Sequence, residues 1–141
     1  MLKSLRKFSM LAAVVLSLAA AGSAHAGLSD TFVASDGKVF QTHSVISVEK
    51  GAGVIYVKQA SGTVQPFADA TGSVWLKVAA TMNYTTRFVK VPGTDRWINV
   101  NYITEISCIS NQTVFGYPTS TQPEWFQDNC ALHTAVKNLS N

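Results

Sequence analysis

Residues 87–106 read RFVKVPGTDRWINVNYITEI. β-Branched and aromatic residues crowd both sides of Pro92-Gly93-Thr94-Asp95, and Pro-Gly is a strong turn signal. The stretch therefore predicts two short strands, 86–91 and 96–100, joined by a tight turn over 92–95, with a third strand at 103–109. Ile98 and Val100 alternate with Trp97 and Asn99, the period of a half-buried strand.

The same pattern extends outward in both directions. Turn signals recur at Asp36-Gly37, Gly51-Ala52-Gly53, Ser61-Gly62, Thr71-Gly72 and Ser110-Asn111. Between them the sequence predicts strands at 38–42, 44–49, 54–59, 63–67, 73–79 and 113–117. Such tight connections leave little room for parallel crossovers, which need a helix-sized link. The expected fold is mainly β: a small antiparallel, meander-like barrel or sandwich.

The tail departs from this rhythm. A polar loop, PTSTQP, follows Tyr117, and then Leu132, Ala135, Val136 and Leu139 recur at helical spacing. Two starts compete. Thr121 and Glu124 would form a capping box for a long helix. Asp128 would cap a shorter one by accepting backbone N–H groups. The shorter helix, from about 128, is preferred because it puts Cys130 in the first turn, within easier reach of a strand cysteine.

The other end carries a different signature. Lys3, Arg6 and Lys7 precede an apolar run over residues 10–21, and Ala24-His25-Ala26 follows. A basic head, an apolar middle and an Ala-x-Ala end make a secretory signal peptide, cut before Gly27. The run is shorter than the roughly 20 residues a permanent membrane helix needs. Position 27 is Gly, which offers no thiol for a lipid. The expected organisation is a cleaved segment at 1–26 and a single exported β domain at 27–141, periplasmic or extracellular, with no transmembrane anchor.

Cleavage changes the charge. The chain has 11 Lys+Arg and 8 Asp+Glu; losing Lys3, Arg6 and Lys7 leaves eight of each. A basic chain invites a phosphate-binding reading. A neutral one does not, so nucleic acid is not expected as a partner.

Cys108 and Cys130 are the two cysteines. Outside the cytoplasm such a pair becomes a disulfide. Neither the Cys-x-x-Cys of redox enzymes nor paired zinc-ligand spacing is present. No metal and no cofactor are expected.

Catalytic patterns are missing as well. His43 lies between two predicted strands and His133 on the tail helix, with no Gly-x-Ser-x-Gly or His-Glu-x-x-His beside them. Most of the eight carboxylates fall in turns or caps, where they bond backbone amides. Glu105, in the interior of a strand, is the exception. No catalytic residue is assigned; the alternatives are a small exported hydrolase built on Glu105 or His43, and a structural surface subunit assembling by strand addition. The expected function is a non-catalytic binding module, an inhibitor or adaptor in the cell envelope, with a protein or glycan partner. Lys90, Arg96 and Trp97 on the 92–95 hairpin are the candidate binding residues: cations beside an aromatic suit an acidic partner or a sugar.

Overall fold

The computed structural model describes residues 30–139. The expected signal segment, residues 1–26, lies outside the described residues. The chain forms β1 (Thr31–Val33), β2 (Val39–Gln41), β3 (Val45–Lys50), β4 (Val54–Gln59), β5 (Val64–Ala68), α1 (Ser73–Tyr84), β6 (Phe88–Lys90), β7 (Arg96–Asn99), β8 (Glu105–Ile109), β9 (Gln112–Tyr117), β10 (Ser120–Phe126) and α2 (Ala131–Leu139). Short 3-10 turns at Thr42–Ser44 and Val100–Tyr102 lead into β3 and toward β8.

Among the described residues all strand pairings are antiparallel and build three sheets: β1-β2, the central β5-β4-β3-β7-β6, and β10-β9-β8. The fold is thus mainly β and sandwich-like, with a C-terminal helix. Its layers follow from side-chain alternation. Along β7, Trp97 turns to one face and Ile98 to the other; along β4, Ile55 and Val57 turn one way and Tyr56 and Lys58 the other. The first face packs Val45, Val48, Ile55, Val57, Phe88 and Trp97 against α1 and the Phe32–Phe40 pair of the small hairpin. The second packs Ile46, Val89 and Ile98 against Phe115, Tyr117 and Phe126 of the three-stranded sheet and Leu132 of α2.

The 92–95 turn forms as expected, with β6 and β7 in register from Phe88↔Asn99 to Lys90↔Trp97. Ser110 and Asn111 both take positive φ, 50° and 65°, and join β8 to β9 as a two-residue hairpin turn. That geometry matches the right-handed twist of the strands it connects.

Residues 73–79 were expected to be extended; they are helical. Val74, Trp75, Val78, Thr81 and Met82 are the buried positions of α1, a helical spacing, while Leu76 is 71% exposed. The helix start is satisfied from outside the segment: the Asp69 carboxylate accepts the Val74 and Trp75 amides at 3.1 and 2.9 Å. This buried anion sits against the positive end of the helix. Two strands also lie where none was expected, β1 and β10. The polar tail loop is largely β10, a sheet edge that tolerates Pro123 and carries a register shift between Ser120 and Glu124.

The shorter tail helix is the one observed. Asp128 accepts hydrogen bonds from the Cys130 and Leu132 amides at 3.1 and 2.8 Å. Cys108 and Cys130 are disulfide-bonded across 22 residues, with Cα atoms 5.5 Å apart. The bridge ties α2 to β8. Reducing it, or replacing both cysteines with Ser, is expected to lower stability by about 3 kcal/mol through loss of the loop constraint. Urea unfolding with and without reductant measures this, and coincident curves would show that α2 docks without the bridge.

Candidate ligand-binding groove

The three-stranded sheet covers only part of the second face of the central sheet. The β9–β10 hairpin crosses above it: Glu124 of β10 reaches Arg96 on β7, Tyr117 of β9 lies under Lys58 of β4, and Thr119 at the tip approaches Gly62 beyond β4. Beside that hairpin the sheet stays open. A groove of about 240 Å³ runs across it, lined by Arg96, Ser47, Glu49, Tyr56, Lys58 and Val64.

Register explains why these six meet. Glu49 stands opposite Arg96 on one side and Tyr56 on the other, and Lys58 stands opposite Ser47 and Val64. Directly paired residues share a sheet face. Four strands therefore each contribute one or two outward side chains, while their neighbours Val48, Ile55, Val57 and Trp97 fill the core beneath.

A hydrogen-bonded frame holds the groove wall. Arg96 Nη1 and Nη2 donate to the two carboxylate oxygens of Glu124, the latter at 3.1 Å. Tyr117 Oη donates to Glu124 Oε2 at 3.0 Å. The Arg96 guanidinium also lies 5.9 Å from the Phe126 ring centre, and Lys58 Nζ 5.4 Å from that of Tyr117. Burial alone would lower the Arg96 pKa, but the hydrogen bonds and charge of Glu124 hold it above the ordinary value. Burial pushes the Tyr117 phenol up strongly, and the Glu124 carboxylate adds to this. Arg96 is thus a fixed cation and Tyr117 a fixed donor. Glu124→Gln removes the charge that Arg96 faces, and is expected to cost about 2 kcal/mol. Urea unfolding checks this; a cost near zero would mean that water replaces the pair.

The three residues expected to form a binding patch are not presented together. Trp97 is 8% exposed and belongs to the core on the first face. Lys90 is exposed and lies 3.8 Å from Asp95 within the turn. Arg96 alone lines the groove. His43 and Glu105 are both exposed, on different elements, and neither lines it. Tyr56 and Lys58 do not stand out in the sequence because β4 reads as a continuous apolar run at Val54-Ile55-Tyr56-Val57, and Ser47 and Glu49, on β3, join them only through the register. The alternation of Tyr56 and Lys58 with Ile55 and Val57 was the available signal.

Asp30–Arg87, Asp36–Lys38, Lys90–Asp95 and Arg96–Glu124 are ion pairs. Among the described residues no group of three or more His, Cys, Asp or Glu side chains could hold a metal ion. No helix among them is long and apolar enough to cross a membrane.

No family model matches the chain, and no curated protein does. Among solved structures it is similar to one described as the LytTr DNA-binding domain of a methyl-accepting/DNA response regulator from Bacillus cereus. The TM-score is 0.52 at 13% sequence identity, over 79% of this chain and 94% of that one. The likeness is one of fold. It also corrects an expectation. That protein is a DNA-binding domain, so the expectation that nucleic acid is not a partner does not follow from a net charge of zero.

Proposed function

We propose that the chain is an exported, non-catalytic binding module that seats its ligand in the groove beside the β9–β10 hairpin. The observation that carries this reading is the groove itself: a concave site lined by an aromatic ring and polar groups of both signs, held by a half-buried ion pair. A concave shape with a few fixed polar groups is the arrangement that ligand sites share. Export is supported by the basic head, apolar run and Ala-His-Ala of the N-terminal sequence. The disulfide suits an oxidising compartment.

Tyr56 is 44% exposed and carries little of the core. Tyr56→Ala is therefore expected to weaken ligand capture about tenfold while leaving stability within about 0.5 kcal/mol. Affinity capture from envelope extract, with wild type and variant as baits, reads the first; urea unfolding reads the second. Equal capture by both baits would remove the groove from the function.

One observation favours a second reading, binding of DNA: the fold shared with the LytTr domain. A duplex held through its phosphates loses affinity steeply with salt. Fluorescence anisotropy with a labelled random duplex, at low and at physiological salt, tests it. Salt-sensitive binding that survives Tyr56→Ala would favour DNA on another surface over a ligand in the groove.

A further inference from the structure

We infer that the groove takes an uncharged sugar, one ring of a glycan stacked on Tyr56; this rests on the groove being the binding site. The argument starts from charge. Lys58 and Arg96 are balanced by Glu49 and by Glu124 behind Arg96. A ligand bearing a phosphate or carboxylate finds two cations but must also face Glu49, the register partner of both Arg96 and Tyr56. A cationic ligand finds Glu49 but must face Lys58 and Arg96. A neutral hydroxyl avoids both conflicts, because one O–H group both donates and accepts.

The arrangement of donors and acceptors fits neighbouring hydroxyls. Two nitrogens of Arg96 are committed to Glu124, and the guanidinium has five N–H groups, so others can point at a ligand. Lys58 has no carboxylate within 4.0 Å among the described residues. Glu49 is likewise unpaired by that measure, and supplies acceptor-only oxygens. Donors at Lys58 and Arg96 thus flank an acceptor at Glu49, and Tyr56 lies next to Glu49 in the same row of the sheet. A sugar ring has an apolar C–H face for the Tyr56 ring and an equatorial rim of hydroxyls for the charged groups. The volume, about 240 Å³, holds roughly eight waters at their liquid volume. That is room for a single ring and its hydroxyls, with the exposed Val64 side open to the rest of a chain.

Amide-resolved NMR titration of the purified protein tests this with named probes: chitotetraose, cellotetraose and maltotetraose, with hexaglutamate and a 20-base-pair DNA duplex as charged comparators. At least one sugar should shift the Ser47, Glu49, Tyr56, Lys58 and Val64 signals with saturation at millimolar concentration or below. Tyr56→Phe should keep that affinity, whereas Tyr56→Ala and Glu49→Gln should each weaken it about tenfold, the first losing the stacking face and the second an acceptor. If no sugar moves these signals, the inference is overturned. If hexaglutamate or DNA moves them instead, the sugar is wrong but the groove stands as the site. If a sugar binds and shifts only signals remote from the groove, both the inference and the site fall.

Discussion

Trp97→Ala is expected to lower the unfolding free energy by about 3–5 kcal/mol, the cost of emptying a large aromatic site in a packed core. The ring is 8% exposed and belongs to the cluster with Val45, Val48, Phe88, Val78 and Met82. It lies between the central sheet and α1, so the loss reaches the helix as well as the strand. Lys90→Ala, directly across the hairpin from Trp97, is expected to change stability by less than about 0.5 kcal/mol. Its ion pair with Asp95 is half exposed on both sides and worth little in water. Equilibrium unfolding of the two variants gives the contrast. If Trp97→Ala proved as mild as Lys90→Ala, the indole would have to face solvent, and the assignment of faces along β7 would be wrong.

The same pair of residues shows what sequence can and cannot reveal. Pro92-Gly93 marks the turn, and the run of β-branched residues on each side marks the strands, so the Lys90–Trp97 adjacency was legible. That the hairpin is buried on both faces, where the alternation predicts one, was not. That depends on α1 and the small β1–β2 hairpin, which cover Trp97 from segments distant in sequence. The α1 helix is disguised in the sequence: Val74, Leu76 and Val78 alternate like a strand, and the helical partners Thr81 and Met82 lie beyond residue 79, where the expected strand ends. Its cap, Asp69, acts from the loop before Gly72, outside the usual capping position. β10 was hidden for another reason. Its seven residues include Ser, Thr, Gln and Pro, and it is held as an edge strand by pairing with β9, not by any apolar pattern of its own. The groove is more remote still. It is assembled from alternate residues of four strands, and only the register brings Arg96, Glu49 and Tyr56 into one row.

Asp128 was legible as a helix cap, but the structure gives it a larger part. Its two oxygens accept the Cys130 and Leu132 amides, the Thr113 amide at 3.1 Å and the Thr113 hydroxyl at 2.9 Å. One carboxylate thus joins the start of α2 to β9. It also steadies Asn129 and Cys130, which take left-handed φ values of 52° and 63°, an unfavourable conformation for residues with a Cβ. Asp128→Ala removes all four bonds and is expected to cost on the order of 2–3 kcal/mol. Burial by itself would raise the Asp128 pKa, but the hydrogen bonds from Leu132, Thr113 and Cys130 outweigh it and hold the carboxyl below its ordinary value. The ionised form is therefore favoured by folding. Its contribution is fully present above the unfolded-state value of about 3.9 and is lost as pH falls through the lower folded-state value. The stability gap between wild type and Asp128→Ala should be constant from neutral pH down to about pH 5 and should narrow steadily below that, as the wild type loses what the variant never had. Urea unfolding of both proteins across that range measures the gap. A gap of unchanged size into strong acid would mean that Asp128 holds α2 without its charge, and the clamp would have to be assigned to packing around Leu132 instead.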